Sequence, residues 1–191
     1  AGEHAGQTTP DPAEPIWTEA VRPLLDSAPP LALQRGGPPG APARRLLASA
    51  APRDWFPHAR APEAALAGLW LRHGGWQEAH EIAQDLETPE GSYWHAIIHR
   101  LEPDAWNAGY WFRRVGAHPL FPALAGAAAS LADQHPDAAF RPPASWDPFA
   151  FTGFCEAVRA RPGSPGHKLA LAIQGAEWRL LFDWCARANM K

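Results

Sequence analysis

The chain has 191 residues, 46% hydrophobic and 19% charged, with a net charge of -3 and a pI near 6.3. That composition excludes a disordered polymer and leaves one domain enough apolar surface for a core. A slightly acidic chain is not a general nucleic-acid binder, and no apolar run approaches the roughly 20 residues a bilayer requires, so nucleic-acid and membrane partners are not expected.

Residues 1–15 read as a flexible N-terminal arm without the basic and apolar regions of a signal peptide. Residues 16–191 read as one helical domain. Pro15 to Asp26 is the first expected helix, with Ile16, Ala20 and Leu24 on one stripe and Pro23 limiting its regularity. Residues 27–42 are rich in Pro and Gly and form a loop, and Pro42 to Ala50 is a short helix opened by proline. Asp54-Trp-Phe-Pro is expected as a turn whose two aromatics cover the core.

The helical pattern strengthens from Pro62. Pro62 to His73 carries Ala65, Leu66, Leu69 and Trp70 at core spacing and stops at Gly74-Gly75. Trp76 to Glu87 follows, with Trp76, Ala79, Ile82, Ala83 and Leu86 on one face, and is broken by Thr88-Pro-Glu-Gly. Ser92 to Leu101 places Trp94, Ile97, Ile98 and Leu101 together. Asp104 is the expected N-cap of a helix from Ala105 to Val115, which ends at Gly116. Pro119 to Gln134, Trp146 to Arg161 and His167 to Ala188 complete the set, with residues 135–145 as a loop. Nothing alternates at period two. The expected fold class is all-α, a single domain of eight or nine helices, with short connections between residues 73 and 118 implying antiparallel hairpins.

Cys155 and Cys185 lie among apolar neighbours. Two cysteines are no disulfide framework, so they read as buried thiols, with one bridge as the alternative, in a protein of the cytoplasm. Neither has a basic or helix-start setting that would activate a thiol. There is no Gly-x-Ser-x-Gly, and Gly36-Gly-Pro-Pro-Gly40 is too rich in proline to cradle a phosphate.

Gly75-Trp-Gln-Glu-Ala79 and Asp104-Ala-Trp-Asn-Ala108 each open the second helix of a pair. Together with Asn107-Ala-Gly-Tyr-Trp-Phe-Arg-Arg they resemble the helix hairpins of tetratricopeptide and Sel1-like repeats, over about a quarter of the chain. Ser92-Tyr-Trp-His-Ala-Ile-Ile-His-Arg and Asn107-Ala-Gly-Tyr-Trp-Phe-Arg-Arg-Val-Gly116, with Glu177-Trp-Arg-Leu-Leu-Phe-Asp183, resemble an uncharacterised family of bacterial and fungal proteins. The first likeness implies packing of hairpins, and the second implies no activity.

The chemistry concentrates between Trp70 and His118. His73, His80, His95, His99 and His118 are five of the nine histidines, and Trp70, Trp76, Trp94, Trp106 and Trp111 five of the ten tryptophans. His95, His99 and Glu102 form a stripe beside the buried face of their helix, and His80, Gln84 and Glu87 a stripe on the helix before. Folded back on one another, the two helices set His80 level with His99 and Gln84 level with His95. The four converge on one mouth with Glu102 at its edge.

Three chemistries fit such a mouth. The main expectation is a pocket for a small polar or anionic ligand. His80, His95 or His99 carries the proton, and Gln84, Glu102, Arg100, Asn107, Tyr110, Arg113 and Arg114 contribute contacts. A metal site on His80, His95 and His99 is a second possibility, although Ala96 stands where His-Glu-x-x-His would place its base. Against both stands the plain reading, in which the histidines bond to neighbouring carboxylates and carbonyls and brace the hairpins. Trp94, Trp106 and Trp111 read as core, and Arg113 and Arg114 as complements to a helix dipole. The competing functional class is an interaction module that offers a concave helical surface to a peptide.

Overall fold

A computed structural model describes residues 17–188, which carry ten helices and no β-strand. The helices are α1 (Val21–Asp26), α2 (Ala41–Ala48), α3 (Pro52–Trp55), α4 (Pro62–Arg72), α5 (Trp76–Asp85), α6 (Pro89–Leu101), α7 (Ala105–Val115), α8 (Phe121–Asp133), α9 (Pro148–Arg159) and α10 (Pro165–Ala186). One isolated bridge joins Ala59 and Ala188. No described helix is long and apolar enough to cross a membrane.

Proline and short polar side chains set the starts. Pro62, Pro89, Pro148 and Pro165 occupy first positions, where a missing N–H costs nothing. Thr88, Asp104, Asp147 and Ser164 accept backbone N–H groups of the first turns of α6, α7, α9 and α10. The break expected at Thr88 is therefore a cap: its hydroxyl accepts Gly91 N–H at 3.1 Å, and α6 begins three residues earlier than its apolar pattern suggests. At its other end α5 stops at Asp85, because Leu86 is extended. Asp54-Trp-Phe-Pro is not a bare turn, since its first residues close the one-turn helix α3, with Trp55 and Phe56 buried. That segment brings the count to ten. The first helix begins at Val21 rather than Pro15; Pro15 and Ile16 lie outside the described residues.

Helix α6 is the axis of the molecule. From Gly91 to Leu101 every residue except His99 is buried, which corrects the one-faced helix expected there. It packs most extensively on α7, then on α5 and α4, while α10 packs on α8, α4 and α9. Close approach of α4 to α6 depends on Gly68, where a Cβ would stand 2.6 Å from the fully buried Trp94 ring. The Gly68 carbonyl accepts the Trp178 indole N–H at 3.0 Å, which adds α10 to the same junction. Both cysteines are free and buried, and burial raises their pKa values, that of Cys155 to about 11.

A buried polar network ties the loop 27–40 to this axis. Arg100 donates to Glu177 Oε1 at 2.6 Å and Oε2 at 3.3 Å, and Tyr93 donates to Oε2 at 3.1 Å. Gln174 accepts from Arg100 and donates to the carbonyls of Leu31 and Ala32. Arg159 bridges the carbonyls of Leu33 and Arg100. Arg100 is 1% exposed and Glu177 fully buried, so the pair satisfies two charges that could not be buried alone.

Candidate functional site

Two stripes face one another beside the axis. On α6, Ser92, His95 and His99 stand at i, i+3 and i+7; on α7, Asn107, Trp111 and Arg114 stand at i, i+4 and i+7. His80 reaches the same place from α5. His95 Nε2 lies 3.0 Å from His80 Nε2. The His95 ring is stacked on His99 at 4.8 Å and on Trp111 at 3.9 Å, and the His80 ring meets both histidines edge-on, at 4.6 and 5.9 Å. One ligating atom from each of His80, His95 and His99 falls within 4.8 Å of the others.

The expected pairing of levels is off by about one turn. With α5 ending at Asp85 and α6 starting at Pro89, the connection is centred on Glu87, which sets His80 level with Trp94 and His95 rather than with His99. Gln84 is displaced with it, exposed and without a hydrogen bond to the histidines.

Electrostatics keep the cluster uncharged at its centre. His95 is 3% exposed. Burial, then the neighbouring His80 and His99, lower its pKa to about 3. Burial also lowers that of His99, against the opposing pull of Glu102 and Asp104. His99 Nδ1 lies 3.5 Å from Glu102 Oε2 and 4.0 Å from Asp104 Oδ2, too far or too skewed to bond. Both it and His95 Nδ1 are buried without a hydrogen-bond partner among the described residues. His95 is thus bonded only through Nε2, to His80, and no carboxylate or carbonyl of the described residues bonds to the buried Nδ1 of His95 or of His99.

The remaining expected contributors divide. Arg100 spends both terminal nitrogens on Glu177 and Gln174, and its buried Nε alone lacks a partner among the described residues. Asn107 donates to the Asp104 carboxylate at 2.6 Å and so supports the cap of α7. Tyr110 is 40% exposed and meets Trp111 edge-on. Arg113 and Arg114 are exposed, and Arg114 lies over the Trp111 ring at 5.3 Å. Trp106, expected in the core, is 75% exposed. The Asp104 cap fixes the phase of α7, which turns Trp106 outward and Trp111 toward His95. Trp111 is thus the site residue that apolarity alone assigned to packing; its i+4 spacing from Asn107 was the available signal.

Beside Ser92 the surface opens into a cleft of about 320 Å³ lined by Glu87, Thr88, Pro89, Ser92 and Arg114. No known family model matches the chain, and neither curated proteins nor solved structures give a match.

Proposed function

We propose that the chain binds a first-row divalent metal ion, zinc foremost, through His80, His95 and His99, leaving the fourth position to water or a small polar or anionic ligand. The observation that carries this reading is the meeting of three imidazole nitrogens within 4.8 Å. Two nitrogens held tetrahedrally at about 2.0–2.1 Å from zinc stand roughly 3.4 Å apart. The His80–His95 approach of 3.0 Å is close to that, and the third ring, His99, stacks on His95 with centroids 4.8 Å apart. Imidazole suits zinc, copper and nickel, and an uncharged ring ligates through its unprotonated nitrogen, so the proton shared at the 3.0 Å His80–His95 contact would pass to the far nitrogen of its own ring as the ion binds. Three nitrogen ligands with an open position are the pattern of ions that polarise a substrate or acidify a water, rather than of closed structural sites. Glu102 and Asp104, 3.5 and 4.0 Å from His99 Nδ1, raise the basicity of that ring through their charge, against the effect of burial.

The test is titration of chelator-stripped protein with cobalt(II) and zinc. One equivalent should bind, cobalt should give the intense visible bands of a tetrahedral nitrogen site, and His95→Ala or His99→Ala should abolish them. Binding that is absent, or untouched by both substitutions, overturns the reading and returns the cluster to packing.

Exposed aromatics favour one other reading. Trp106, Tyr110 and Phe149 are 75%, 40% and 46% exposed, and a face of that kind suits a peptide partner. Trp106→Ala and Tyr110→Ala would then weaken capture of that partner without changing metal affinity.

A further inference from the structure

The cleft beside Ser92 has the chemistry of a subsite. Ser92 is 6% exposed, yet its hydroxyl makes no hydrogen bond among the described residues and lines the cleft. Arg114 across from it has the Trp111 ring under its guanidinium and no carboxylate partner among those residues. A hydroxyl that opens onto the hollow from a mostly buried residue, and an exposed guanidinium beside it without a carboxylate partner, are two donors that one anionic group can take together. The position matters as much. Ser92 precedes His95 by three residues on the same stripe, about 4.5 Å along the helix. Arg114 is joined to His95 through the stacked Trp111 ring, at 5.3 and 3.9 Å.

From this we infer that the cleft holds the carboxylate of a small organic acid, whose second oxygen donor, one helical turn away, reaches the ion on His80, His95 and His99. The second half of this inference rests on the metal reading above. The charge of the cleft does not favour a dianion. Arg114 is the one cation lining it and Glu87 the one anion, so the lining is neutral overall and the guanidinium is its single anchor for an anionic group. Arginine's planar fork suits a carboxylate bidentately, and the Ser92 hydroxyl supplies a further donor. The cleft volume accommodates a short acid rather than a polymer.

Succinate is the probe, with n-butyrate as its analogue lacking the second donor and inorganic phosphate as the competing anion. Backbone amide shifts are followed in the full chain, zinc-loaded and zinc-free. In the zinc-loaded protein, succinate should move Ser92 and Arg114 and bind at least about tenfold more tightly than butyrate, the gain of one further strong contact. In the zinc-free protein the two acids should bind equally and weakly at the same residues. Arg114→Gln should cost about tenfold for both acids while zinc affinity stays unchanged, and Ser92→Ala should cost less. Shifts that avoid Ser92 and Arg114, or an Arg114→Gln variant that binds as the parent does, overturn the subsite even if zinc binds. Phosphate binding more tightly than succinate overturns the carboxylate assignment. Failure of zinc to bind, with both acids still moving Ser92 and Arg114, overturns the bridge to the ion and upholds the carboxylate cleft.

Discussion

Single side chains decide how this molecule responds to acid. An unfolded imidazole titrates near pH 6.5, whereas His95 in the fold titrates near 3 because it is buried beside two other imidazoles. As pH falls, the unfolded chain takes up protons first. The stability contributed by the neutral buried ring is complete above about pH 6.5 and is lost progressively toward pH 3, with His99 shifted in the same direction. Denaturant midpoints measured near pH 8 and pH 5 should therefore differ, and His95→Asn should narrow the gap. A second expectation concerns the Arg100–Glu177 pair. Glu177→Gln strands a buried guanidinium and should cost about 3–5 kcal/mol, whereas the double change to Met and Leu should cost much less, as urea unfolding would report. The histidine stripe was readable from spacing alone. The partner of Arg100 was not, because it lies 77 positions along the chain and no local pattern announces it. Trp106 and Trp111 were both assigned to the core by apolarity; which one faces His95 depends on a helix phase that the cap at Asp104 sets.

Helix ends, more than helix interiors, control the register of the elements. Most of the helices were legible from apolar period and proline, since these act within a turn or two. The junction between α5 and α6 was misplaced by a few residues, because Thr88-Pro-Glu-Gly reads equally as breaker and as cap, and that small error moved His80 by a turn against its partner. Replacing Thr88 by Ala removes the acceptor for Gly91 N–H and should cost about 1 kcal/mol, checked by thermal unfolding. The crossing of α4 over α6 is more sensitive. Gly68→Ala drives a methyl into the Trp94 ring, which has no room to yield, and should destabilise by roughly 1–3 kcal/mol despite alanine's better helix propensity. A Trp94→Leu change in the same background should recover part of that loss.

Across the whole molecule, polar groups fasten what the apolar core brings together. Glu90 at the start of α6 accepts from His118 at 3.2 Å and from the Trp184 indole at 2.8 Å, joining α6 to the turn before α8 and to α10. His118 Nδ1 accepts Leu120 N–H, so Nε2 carries the proton donated to Glu90. The bond from His118, reinforced by Trp184, holds the Glu90 pKa at about 2 against an ordinary 4.5. Its contribution is complete above about pH 4.5 and disappears as pH falls toward 2, so Glu90→Gln should flatten the acid limb of the stability curve in that window. All-α architecture followed from composition and period, but this fastening joins residues 28 and 94 positions apart and belongs to the tertiary fold alone. The enclosure of α6 carries a further consequence. Two of the three imidazoles stand on a helix whose peptide groups can reach solvent only when the core itself opens. An ion gripped there would tax every global opening by its binding free energy, and the slowest-exchanging amides of the protein would slow further in proportion to the free metal supplied. The centre of the fold would then act as its own metal gauge, read out in hydrogen exchange rather than in turnover.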